Sequence, residues 1–227
     1  MVRIDAKNLS ATEINRRIKD AASSADEIKV VNPQARHNIA VGVLQPCNIT
    51  IEGSVGYYGA SLMDGPEVHI DGNAGWALGE NLMSGKITVT KDAGASVAAS
   101  MRGGEIVVGR NAGARAGISM KGGTLLIGGN AGFLTGFMMQ KGRIVVCGDV
   151  GDAVGDSMYE GVIYVGGEIG SLGTDAKVEP VSEGELIELW ALLEQHGIED
   201  KPRFRKIVSE KKLYHFDKLE RLEMSAV

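Results

Sequence analysis

Two cysteines and four histidines are the residues of this 227-residue chain best suited to nucleophilic or metal chemistry. Their spacing does not support either. Cys47 and Cys147 are far apart, and His37, His69, His196 and His215 share no register with them or with one another, so no metal-ligand spacing emerges. Cys47 lies beside an expected strand. An N-terminal nucleophile needs its thiol at the mature chain start, and here the sequence opens Met1-Val2, so that activity is not expected of this chain. Asp149, Asp152, Asp156 and Glu160 form an acidic edge, read as a solvated rim before a weak cation site. Arg102 and Lys121 are basic residues at one bend, placed to meet a partner protein or solvent. The string Gly53-Ser54-Val55-Gly56-Tyr57-Tyr58-Gly59 invites a phosphate-loop reading, as does Gly167 to Gly173. No G-x-G and no G-x-x-x-x-G-K-[ST] occurs, so both nucleotide fingerprints are absent. A GxxG clamp for RNA would need a basic helix beside it, and none flanks these glycines. Tyr57, Tyr58 and Trp76 are large residues just after turn glycines, where they line a pocket, form a subunit interface or cap the first coils. The residues thus assign no catalytic, cofactor-binding or metal site.

Bulk properties narrow the class further. The net charge is −5 and the isoelectric point about 5.5, unlike the basic balance of a nucleic-acid binder. Scarce thiols and a polar N-terminus without an apolar signal core lead to the expectation of a reducing cytoplasm. No apolar run approaches the roughly 20 residues that cross a bilayer.

Glycine explains what positions these residues. There are 32 glycines against 5 prolines, and the glycines concentrate between Gly53 and Gly173. Gly56, Gly75, Gly94, Gly113, Gly132, Gly151 and Gly170 recur every 19 residues. Ile49, Val68, Ile87, Ile106, Leu125, Ile144 and Ile163 keep the same register, and Ile51, Ile70, Val89, Val108, Ile127, Val146 and Val165 follow two residues on. Apolar positions two apart are the period of a strand, so Thr50, His69, Thr88, Val107, Leu126, Val145 and Tyr164 between them should face outward. Small apolar residues precede each glycine, and Ser54, Asn73, Asp92, Asn111, Asn130, Asp149 and Glu168 precede those as turn formers. Met63, Leu82, Met101, Met120, Met139 and Met158 make a further ladder, read as core filler. One coil cannot bury its inner face, but stacked coils can. The expected fold is an all-β solenoid, a right-handed parallel β-helix of about seven 19-residue coils with an N-terminal helix and a C-terminal helical tail.

Both ends of such a stack are sheet edges that need cover. Ser10 to Ala22 reads as a helix with a Ser10/Glu13 capping box, and Ser182 to His196 as a second with Ser182/Glu185, Leu186, Leu189, Trp190 and Leu193 on one face and Gly197 after it. The chain divides into residues 1–46 as helix and lead-in segment, 47–178 as β-helix, and 179–227 as helix and docking tail with Tyr214, His215 and Phe216.

The coil glycines Gly72-Asn73-Ala74-Gly75, Gly129-Asn130-Ala131-Gly132 and Gly148-Asp149-Val150-Gly151, each with its strand, resemble the C-terminal GXGXG domain of the glutamate synthase large subunit. The segment Glu194-Gln195-His196, Pro202 to Val208 and the tail Leu213-Tyr214-His215-Phe216-Asp217 extend the resemblance over nearly the whole chain. The coil pattern is shared with the β-helical scaffold component of formylmethanofuran dehydrogenase; the tail favours glutamate synthase. The resemblance implies a noncatalytic brace, with FMN and an iron–sulfur cluster in a partner subunit and no cofactor in this chain. It implies a hetero-oligomer with a glutaminase-like class II amidotransferase subunit and an FMN/iron–sulfur synthase-like subunit, as in N-methylglutamate synthase or a split glutamate synthase. A β-helical acyltransferase is disfavoured, since its steps are six residues and 19 is not a multiple of six.

Overall fold

The computed structural model describes residues 1–211. Their strands form one eleven-stranded sheet whose spatial order is that of the sequence until its last two members. Strands β3 (Asn48–Glu52), β4 (Asp64–Ile70), β5 (Ser84–Val89), β6 (Glu105–Val108), β7 (Lys121–Ile127), β8 (Lys141–Val146) and β9 (Val162–Val165) are the seven rungs that the 19-residue period requires. Each pairs in parallel with the next, and the pairing runs Ile49 to Val68 to Ile87 to Ile106 to Leu125 to Ile144 to Ile163. Both strand ladders and the methionine ladder are buried in a single core inside the coils. On the far side, Val55, Ala74, Ala93, Ala112, Ala131, Val150 and Ile169 pair by single parallel bridges. The solenoid expected from the repeat is the observed architecture.

The stack begins earlier than the 19-residue period. Strands β1 (Val2–Asp5) and β2 (Glu27–Val31) add two parallel rungs, and Ile28 lies opposite Ile49, 21 residues on. Helix α1 (Ala11–Ala22) forms between them, with the Ser10/Glu13 capping box in place. Its buried residues Ile14, Ile18 and Ala21 join the same core as the coil interior, closing the N-terminal end.

The other end closes differently from the helical cover that the sequence suggests. Strand β11 (Arg205–Ser209) runs antiparallel to β9, and β10 (Ala176–Glu179) runs antiparallel to β11. Helix α2 (Glu183–Gln195) is not an end cap. It lies over the outer face of β6 to β9, where Leu189, Leu192 and Leu193 bury against Val107, Leu126, Val145 and Tyr164 with Phe204. Those four outward positions are apolar in the covered rungs, whereas Thr50, His69 and Thr88 occupy the uncovered ones. Among the described residues no helix is long and apolar enough to cross a membrane.

Candidate functional site

The bends set which side chains are presented. In six successive coils, the second, fourth and sixth residues after the repeat glycine all take left-handed backbone, from Tyr58, Ala60 and Leu62 to Ala153, Gly155 and Ser157. The fourth position is buried and small. Three of the six coils place only Ala, Ser or Asn at the second and sixth positions. Tyr58 at φ 59° and Leu62 at φ 56° are exceptions, as are Arg115, Leu134 and Met138. A bulky residue in this conformation carries about 1–2 kcal/mol of strain. Tyr58 and Leu62 are also half exposed, so folding gains little from their size.

Beside them runs an aromatic stack. His37 and Tyr57 have ring centroids 4.4 Å apart at 14°, and Tyr57 and Trp76 5.1 Å apart at 19°. These separations match the rung spacing of about 4.8 Å, because the three occupy one register position in consecutive coils. The Tyr57 N–H donates to His37 Nδ1 at 2.8 Å, which fixes the first ring. Trp76 remains 58% exposed. The next two coils have Ala95 and Ala114 at this place, and Phe133 follows. Tyr57, Tyr58 and Trp76 are therefore brought together, and His37 joins them. The sequence hid His37 because the first coil departs from the 19-residue period. Flat, rigid, partly exposed rings of this kind suit contact with another protein's apolar or planar groups.

The other candidates are dispersed. Cys47 is buried just before β3, and burial, with Asp26 nearby, pushes its thiol up. Cys147 follows β8, where burial and then Asp200 push its thiol up to about 11. Both thiols are thus held in the unreactive form. His69 faces outward in a shallow hollow of about 190 Å³ lined also by Asn48, Thr50, Glu67, Lys86 and Thr88. His196 caps the C-terminus of α2, with Nε2 3.1 Å from Glu105 Oε1, which also meets Lys86 Nζ at 3.2 Å. His215, Tyr214 and Phe216 lie outside the described residues. Among the described residues no group of three or more His, Cys, Asp or Glu side chains could hold a metal ion.

Three carboxylates of the acidic edge tie one coil to the next. Asp149 accepts from the Glu168 N–H at 2.7 Å, and Asp152 accepts from the Ser171 hydroxyl at 3.0 Å. Asp156 accepts from the Thr174 N–H, which with Ser157 holds its carboxyl below the usual range. Asp149 belongs to a longer column. Ser54, Asn73, Asp92, Asn111 and Asn130 each accept from the backbone N–H of the turn residue one coil on, at 2.8–3.2 Å.

The candidate reactive groups are thus dispersed among the described residues, and the exposed aromatics stack in register. The chain belongs to the GXGXG motif family, whose model matches residues 12–208. It is 39% identical over 69 residues to Protein GlxC of Rhizobium meliloti (strain 1021), a match covering 30% of each chain.

Proposed function

We propose that this chain is the noncatalytic β-helix subunit of a glutamate synthase-like complex of the N-methylglutamate synthase type. That complex converts methylamine and glutamate to N-methylglutamate and ammonia. In this reading the chain braces a glutaminase-like subunit against an FMN/iron–sulfur synthase-like subunit in the cytoplasm. The observation that carries it is the bend face: Tyr58 and Leu62 are strained and exposed, and the His37–Tyr57–Trp76 stack stands beside them. Exposed apolar surface of this kind is one mark of a protein–protein contact.

FMN is placed in the partner by the family resemblance, and the iron–sulfur cluster is placed there on the chemistry of this chain as well. An iron–sulfur cluster takes four thiolates. Only two cysteines exist here, and burial holds both as thiols. The contribution of this chain is then to hold two active sites at fixed separation on a stiff rod.

The test is reconstitution from purified components. The chain is mixed with its glutaminase-like and flavin subunits and followed by size-exclusion chromatography. A ternary complex is expected, and Trp76→Ala together with Tyr58→Ser should weaken it while leaving the chain folded. Methylamine–glutamate turnover by the isolated chain would end the proposal.

A further inference from the structure

The fifth coil repeats the bulk of the first on a part of the bend wall that the aromatic stack does not reach. Counted from Gly56, Gly132 opens that coil. Phe133 is 48% exposed and Met138 39%. Leu134 and Met138 hold the left-handed second and sixth positions, at φ 58° and 53°. The coil before places Arg115 and Ser119 there, and the coil after Ala153 and Ser157. Bulk at these positions costs strain, as at Tyr58 and Leu62, and neither Leu134 nor Met138 is buried in return.

Opposite charges flank this apolar coil. On one side the Arg115 N–H donates to the Phe133 carbonyl. Lys121 Nζ donates to the Ser119 carbonyl at 3.5 Å, which lays the amine over the same bend. On the other side the Leu134 and Met138 N–H groups donate to the carbonyls of Asp152 and Asp156. The wall therefore runs from basic through apolar to acidic in successive coils. Among the described residues none of Arg115, Lys121, Asp152 and Asp156 forms an ion pair. That order is self-complementary. A two-fold axis normal to the wall reverses the order of the coils and exchanges the second and sixth positions about the buried fourth one, Gly136. It sets Leu134 against Met138 of a second copy. It also sets Arg115 and Lys121 against Asp156 and Asp152 of that copy, and the reverse. An apolar centre with polar, charged flanks is the anatomy of a protein–protein contact.

We propose that the fifth-coil patch is the contact between two copies of this chain, paired antiparallel about Gly136. The occupant is a second copy because both signs of charge that the contact needs stand on this one wall, on either side of its apolar coil. The His37–Tyr57–Trp76 stack and Leu62 belong to earlier coils outside the apolar and charged ones, so the inference is independent of the assembly proposed above.

Sedimentation of the purified full-length chain over a range of concentrations tests it. A concentration-dependent dimer is expected. Leu134→Ser with Met138→Ser copies the third coil, which has Ser96 and Ser100 at these positions. This pair of changes should weaken the dimer at least about tenfold, with the melting transition retained. Lys121→Glu and Asp152→Lys, as separate folded variants, should each weaken it several-fold by setting like charges face to face. Mixing those two variants should give a tighter dimer than either forms alone, since each then offers the sign that the other lacks. A monomer at every concentration would overturn the proposal. So would a dimer indifferent to the Leu134 and Met138 changes, or charge reversals that mixing does not rescue.

Discussion

Asn111 shows how single side chains hold this rod together. Its Oδ1 accepts from the Asn130 N–H at 3.0 Å, and its own N–H and amide both donate to Asp92. Asn111→Ala removes an acceptor and strands a turn N–H. The expected loss is about 1 kcal/mol in denaturant unfolding, with Asn111→Ser milder because Ser54 performs the same task in the first coil. Gly113 is a sterner case. A Cβ there would sit 2.6 Å from the Ala95 nitrogen and 2.8 Å from the Gly94 carbonyl carbon, both backbone atoms that cannot yield. Gly113→Ala should cost about 3 kcal/mol or more, measured by the same unfolding midpoint. Leu62 makes the opposite prediction. Leu62→Asn copies the residue that the next coil uses at this left-handed position, Asn81. Stability should hold or rise by about 0.5–1 kcal/mol, while binding to a partner subunit should weaken. Lower stability would mean that Leu62 serves the fold.

Helix α2 is the element whose attachment is most exposed to change. Its N-terminal Glu185 accepts from the Tyr164 hydroxyl at 2.8 Å and pairs with Lys206 at 2.8 Å. Lys206 first, then the Ser182 cap and Tyr164, hold its carboxyl at about 2, below the ordinary 4.5. A depressed carboxyl stabilises fully above its unfolded value, and that stability is lost as pH falls through the folded one. The contribution of Glu185 should therefore fade between about pH 4.5 and 2, and Glu185→Gln should lack that segment of the stability–pH curve. Further along α2, Leu193 is fully buried against the outer sheet face. Leu193→Ala should cost about 2–5 kcal/mol, seen as an earlier unfolding transition. The helices themselves were legible from Ser10/Glu13 and Ser182/Glu185, because a capping box is a local signal. The docking site of α2 was legible only indirectly. Val107, Leu126, Val145 and Tyr164 are apolar at outward places where Thr50, His69 and Thr88 are polar, and a periodicity argument assigns both sets the same direction. Strands β1, β10 and β11 escaped because they lack the 19-residue period that made the others visible, and β2 was legible only as an irregular strand in the lead-in segment.

At the scale of the whole molecule, the repeat made the fold readable. Identical positions must stack once the period is known, so Ile49 to Ile163 located seven rungs without any long-range guess. The three left-handed bend residues per coil were less readable, since Tyr58, Arg115 and Met138 have no propensity for that backbone and adopt it because the neighbouring coils impose it. The aromatic stack was half legible: Tyr57 and Trp76 stood out, and His37 needed the structure. The molecule is a β-solenoid of the GXGXG family. In the proposed role this chain supplies geometry and its partners supply the chemistry. The most direct test is methylamine–glutamate turnover by the purified glutaminase-like and flavin subunits, with and without this chain. The account predicts no turnover by this chain alone and a marked gain when it joins the other two. Undiminished turnover without it, or turnover by this chain alone, would contradict the account.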